Sequence, residues 1–133
     1  AGAIRQYETL LKQTPNHVVA LNNLAGLYHQ ANDPRALKTA EAAYRMLPKN
    51  PGVLDTLGWI LVGQGQPVRG VGYLREALTK MPDHPEIHWH LAYGLYKSGD
   101  RLRAKQELKR LLESGFNFPQ QAEAKALLSQ LGG

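Results

Sequence analysis

Three prolines set the ruler of this sequence. Pro15, Pro48 and Pro82 stand 33 and then 34 residues apart, and each closes an apolar helical stretch, in LLKQTPNH, YRMLPKN and LTKMPDH. A fixed period of this length marks a stack of like units, because one such unit cannot bury its apolar face alone and must lean on its neighbours. A second pattern keeps the same step. LNNLAGLY opens at Leu21, LDTLGWIL at Leu54 and HWHLAYGL at His88. Each has a large residue, Leu three places on, then Ala or Gly, then Tyr or Leu three further. That spacing draws one face of an α-helix. Leu21, Leu24, Ala25 and Tyr28 occupy it first, then Leu54, Leu57, Gly58 and Leu61. The turns QANDP, GQGQP and KSGDR follow, and after them a second helix with Ala36, Gly70 or Ala104 near its start and Ala40, Leu74 or Leu108 one turn on. The first full unit is one residue short, most simply at its AND turn.

The predicted elements are a lone helix over about 2–13, pairs at 18–30 with 34–47, 51–64 with 67–80 and 85–98 with 101–114, and a terminal helix at 119–131. Asp33 and Asp100 stand where an N-cap oxygen accepts a backbone N–H, and Pro34 and Pro67 where a helix tolerates proline. The small residues Ala25, Gly58 and Ala92 let helices approach closely. The terminal helix, PQQAEAKALLSQL, has a polar face suited to closing a stack. The chain opens already inside a helical pattern, AGAIRQYETLL, and so reads as a piece of a longer protein whose preceding helix is missing.

These residues resemble the tetratricopeptide repeat, W-x2-L-G-x2-Y…A-x3-F…P with a period near 34. The likeness runs over nearly the whole chain and departs from the pattern where Leu21, Leu54 and His88 replace the tryptophan and where ESGFNFP replaces the last proline. It implies an all-α, right-handed superhelical solenoid of antiparallel helix pairs in one domain, 1–133. Its parts are the second helix of a truncated repeat (1–15), three repeats (16–48, 49–82, 83–115) and a C-terminal capping helix (116–133). It also implies a non-enzymatic interaction scaffold whose first helices line a concave groove for a protein or peptide segment. On that basis Asn22, Asn23, His29, Asp55, Trp59, Trp89, His90, Tyr93, Tyr96 and Lys97 lie in or near the groove. Trp59 and Trp89 either face it as anchors or pack between adjacent helices. Some family members grip a C-terminal carboxylate there. The matching places hold Asn22, Gly26, Thr56, Glu86 and His90, and four of these depart from such a clamp. More loosely, NNLAGLYHQANDPRALKTAEAAY and LDTLGWILVGQGQ are similar to the C-terminal part of bacterial repeat lipoproteins of exopolysaccharide and exosortase (PEP-CTERM) systems. That likeness implies a periplasmic or outer-membrane-associated setting.

Other chemistry finds little footing. The five glycines of GWILVGQGQPVRGVGYL lack the Lys of a phosphate loop and a strand before it, and G-x-G-x-x-G fails because Val68 stands where the third glycine belongs. Gly63 and Gly65 read instead as a helix end, with Pro67 opening the next helix and Gly70 at a packing position. No H-E-x-x-H or G-x-S-x-G is present, so no catalytic residue is assigned. The chain has no cysteine, which excludes disulfides and thiolate ligands. His84 and His88 have the i, i+4 spacing of helical metal ligands, yet His84 precedes the helix. HPEIHWH therefore reads as one partly buried and two surface histidines, with no metal or cofactor. The formal charge of +5 is weak ground for nucleic acid, and none is expected as a partner. Lys97, Arg101, Arg103, Lys105, Lys109 and Arg110 spread around an outer helix. They read as a solvated convex face, or else as a contact for an anionic polysaccharide or membrane surface. No apolar run reaches the roughly 20 residues of a membrane span. Self-association is expected through the first helix, because Ile4, Tyr7, Leu10 and Leu11 span more than one contact line.

Overall fold

The computed structural model describes residues 2–132. Among them the order is α1 (Gly2–Gln13), α2 (Val18–Gln30), α3 (Ala36–Met46), α4 (Pro51–Gly63), α5 (Pro67–Lys80), α6 (Pro85–Lys97), α7 (Arg101–Glu113) and α8 (Gln121–Gln130). Each helix packs on the next in sequence. In addition α2 packs on α4 and α4 on α6, whereas no comparable contact joins α3 to α5 or α5 to α7. Inner helices that touch while outer ones stand apart make a curved stack, with α2, α4 and α6 on the inside of the bend. The result is an all-α helical repeat fold.

The turns repeat in atomic detail. Asn32, Gly65 and Gly99 all take positive φ, at 56°, 82° and 91°. The next residue in each case donates its N–H five places back: Asp33 to the Tyr28 carbonyl at 2.8 Å, Gln66 to Leu61 and Asp100 to Leu95, both at 2.9 Å. This is the left-handed C-terminal motif that glycine, and secondarily asparagine, accepts. Gly63 plays no part in it. It is the last residue of α4, and its missing side chain matters elsewhere. The other loops repeat as well: Leu47 and Met81 end α3 and α5 just before Pro48 and Pro82, and Asn50 caps α4 by accepting from Val53 N–H at 3.1 Å.

The short unit is not short at its AND turn, since that turn matches its two counterparts. The lost residue falls just after it. Ala36 N–H bonds the Asp33 carbonyl three residues back, where Gly70 and Ala104 bond four back to Gln66 and Asp100. A tighter first turn absorbs the deletion. It also moves the start of α3 to Ala36 instead of 34, and Asp33 bonds Arg35 N–H at 2.9 Å in place of a third-residue cap. Asp100 caps as expected, accepting from Arg103 N–H at 3.1 Å. At the far end α8 begins at Gln121 rather than 119, because Phe118 is buried against the stack and holds the chain there in a turn.

The core is the repeated small-and-large stripe. Ala25, Leu54, Leu61, Leu74, Ala92, Ala104 and Leu108 are fully buried. At the α4–α5 crossing a Cβ on Gly70 would stand 2.5 Å from the Gly58 carbonyl oxygen, and one on Gly58 2.9 Å from the Gly70 oxygen. The two backbones touch there without side chains between them. No residue of α1 is buried: Ile4, Tyr7 and Leu11 are half-buried against the cluster around Leu24 and Tyr28. Tyr28 tethers α1 by donating its hydroxyl to Glu8 at 2.5 Å, and Glu8 also pairs with Arg35 at 3.2 Å.

Candidate functional site

The first helices bring one row of rings to the inside of the bend. Trp59 of α4 sits at its centre, stacked on His90 of α6 with centroids 4.1 Å apart and planes at 19°. His29 of α2 meets the Trp59 ring edge-on at 6.4 Å, and Tyr93 meets it at 5.5 Å. Tyr96 continues the row 6.0 Å beyond Tyr93. The register makes this row, since 26, 59 and 93 are equivalent positions and Gly26 leaves the α2 place open. Gly63 makes room for the outermost ring: a Cβ there would lie 2.5 Å from His29 Cε1.

Beneath Trp59 opens a cleft of about 180 Å³, walled by Gly26, His29 and Gln30 of α2, Asp55, Thr56, Trp59 and Ile60 of α4, Glu86 and His90 of α6, and Gln120. Asp55 and His90 lock together across it. The carboxylate accepts from Nδ1–H at 2.7 Å, which fixes the tautomer and presents the imidazole face to Trp59. Burial, and then the neighbouring His90, hold His29 below the ordinary histidine range, so its ring is uncharged near neutral pH. Gln120 Nε2 donates to Glu86 at 3.4 Å. The wall is thus largely aromatic, with two acidic residues, Asp55 and Glu86, and no Lys or Arg.

The residues expected in the groove divide. His29, Asp55, Trp59 and His90 meet in the cleft; Tyr93 and Tyr96 extend its wall, with Tyr96 accepting from Gln130 at 3.1 Å. Exposed Lys97 stands 5.8 Å over the Tyr93 ring. Asn22 and Asn23 line a separate, shallower hollow beside Ala3 and Tyr7, where Asn23 Nδ2 donates to Tyr7 at 3.1 Å. Trp89 is not an open anchor. It is 4% exposed and packs with Ala92, Leu108, Phe118 and Leu127, because Phe118 and α8 cover the place that would otherwise face outward. The histidines also differ from expectation: His84 and His90 are half-buried, as is His88, because the stack closes over the start of α6. His88 donates Nε2–H to the Pro82 carbonyl at 2.5 Å and holds Nδ1 3.5 Å from Glu107. That carboxylate raises His88 and is itself lowered by it. Among the described residues no three His, Asp or Glu side chains gather as a metal site. Gln30, Ile60 and Gln120 also line the cleft and were not assigned to it by sequence reasoning; Gln120 lies in the irregular stretch before α8, outside every repeat position.

Two family models, both described as tetratricopeptide repeat, match residues 61–131 and 1–51. The chain belongs to the tetratricopeptide repeat family. A TPR repeat-containing protein of Pseudomonas aeruginosa is 35% identical to it over 88 residues, covering 62% of this chain and 14% of that protein. Among solved structures, MamA superposes with a TM-score of 0.78 at 17% identity, over 96% of this chain and 74% of MamA. A thermophilic TPR protein of Thermus thermophilus gives 0.73 at 22% identity, over 96% and 70%. An O-GlcNAc transferase mutant of Thermobaculum terrenum gives 0.76 at 24%, over 84% of this chain and 22% of the transferase. At these identities the likeness speaks for the fold. Domains of this family generally mediate protein–protein interaction. Among the described residues no helix is long and apolar enough to cross a membrane.

Proposed function

We propose that this tetratricopeptide repeat chain is a non-enzymatic scaffold that holds a segment of another protein along the inner face of α2, α4 and α6. The observation that carries the reading is the continuous, partly exposed row of His29, Trp59, His90, Tyr93 and Tyr96 above a cleft. Rings of this kind bury much area for little lost freedom when a partner covers them, and so act as anchors. A role in a bacterial envelope assembly for exopolysaccharide export rests on the likeness of residues 22–44 and 54–66 to the repeat lipoproteins of such systems. The test is selection of a displayed peptide library on the immobilised chain, with Trp59→Ala and Tyr93→Ala as counter-targets. Selected peptides should bind each variant at least about tenfold more weakly, as loss of an anchor does, with unchanged helical circular dichroism. Peptides that bind both variants as well as the parent would refute the groove.

A second reading draws on charge. Counted over their spans, α3, α5 and α7 carry net +1, +2 and +3, against 0, −1 and 0 on α2, α4 and α6. An outer face of that sign suits an anionic polysaccharide or membrane surface. Binding of this kind would fade steeply with added salt.

A further inference from the structure

The inner cleft has the opposite character to the rest of the molecule. The chain carries a formal +5, and its outer helices are basic, yet no Lys or Arg lines the cleft. Of its lining residues the acidic ones are Asp55 and Glu86. Asp55 gives one oxygen to His90, and a carboxylate has room for further donors. Glu86 receives one long bond from Gln120, and the other end of that amide, Gln120 Oε1, is buried with no partner. Buried acceptors left open are costly, and a donor that reaches them recovers the cost. The cleft, at about 180 Å³, is roomy enough to admit a side chain.

We propose that this cleft is a socket for one basic side chain, arginine or lysine, carried by the protein segment that occupies the groove. The inference rests on the groove reading above and names the chemistry of its occupant. The alkyl stem lies along Trp59, and the cationic head reaches Asp55 and Glu86 at the floor. An apolar wall with carboxylates behind it matches a side chain that is apolar along its stem and charged at its tip. Long-range attraction does not create the preference, because the whole chain repels cations. It is local to these two carboxylates.

The experiment uses three fluorescein-labelled pools of nine-residue peptides with randomised flanks and a fixed central residue: arginine, its neutral isostere citrulline, or glutamate. Binding to the full chain is read by fluorescence anisotropy. Charge-assisted hydrogen bonds in a partly desolvated site put the arginine pool about tenfold or more tighter than the citrulline pool, with the glutamate pool weakest. The pair Asp55→Asn with Glu86→Gln should bring the arginine-to-citrulline ratio below about twofold. Glu76→Gln with Glu113→Gln, an equal charge change at exposed sites on the outer helices, should leave it intact. If the first pair disturbs the circular dichroism, Glu86→Gln alone serves, since an amide there still meets Gln120. Equal binding of all pools that Trp59→Ala abolishes would overturn the socket and leave the groove standing. A preference that survives loss of both carboxylates would also overturn it. No binding by any pool would overturn socket and groove together.

Discussion

Gly70→Ala tests the central packing claim because two effects of known sign compete there. Gly70 lies inside α5, where alanine gains about 1 kcal/mol of helix propensity. Against this, the new methyl would stand 2.5 Å from the Gly58 carbonyl oxygen, 2.7 Å from Val62 Cγ2 and 3.1 Å from Val62 N, whereas ordinary contact begins near 3.4 Å. Two of these neighbours are backbone and cannot rotate aside, so α4 and α5 must part along their length. Overpacking of this kind costs about 1–3 kcal/mol, and a rigid neighbour puts it toward the upper end. The expected net effect is a loss of about 2 kcal/mol. Gly72 provides the internal contrast, two residues along the same helix, where a Cβ would meet nothing within 4 Å. Gly72→Ala should gain up to about 1 kcal/mol from propensity and the unfolded state. Urea unfolding followed by circular dichroism measures both, with the midpoint falling for one and rising for the other at constant slope. Gly70→Ala as stable as the parent would refute the claim that backbone contact at this crossing decides the residue.

Three further outcomes follow from the described contacts. Trp89→Ala empties a buried ring site under α8 and should cost about 3–5 kcal/mol, with amide exchange in Gln121–Gln130 accelerating first; unchanged stability would place Trp89 outside the core. Proton NMR should find His88 titrating above and His29 below the ordinary histidine value near 6.5. His88, raised chiefly by Glu107, contributes stability that is present below pH 6.5 and lost as pH rises through its folded value; Glu107→Gln should flatten that stretch of the stability–pH curve. The half-buried Ile4 and Leu11 on α1 should drive concentration-dependent association, read by light scattering and suppressed when both are made polar; a strict monomer throughout would count against it.

The repeat was legible in the sequence because its signals are local. The proline spacing, the Leu24-Ala25-Tyr28 stripe and its two echoes, and the Asn32, Gly65 and Gly99 turns follow from backbone geometry and helical periodicity within each unit. The same periodicity put Trp59, His90 and Tyr93 on first helices. The place of the missing residue was not legible, since a deletion between Asp33 and Ala36 reads the same as one in the turn until the hydrogen bonds choose. Nor could periodicity separate Trp59 from Trp89. Both stand on first helices at repeat positions, but an irregular stretch around Phe118 folds back and buries Trp89, while Trp59, stacked on His90, stays partly open. The cleft depends on the same return of the chain, which carries Gln120 to Glu86 across 34 positions of sequence. Period and composition determine which residues face inward. Only the packing of the non-repeating end against the last repeat decides which of those residues stay open to a partner.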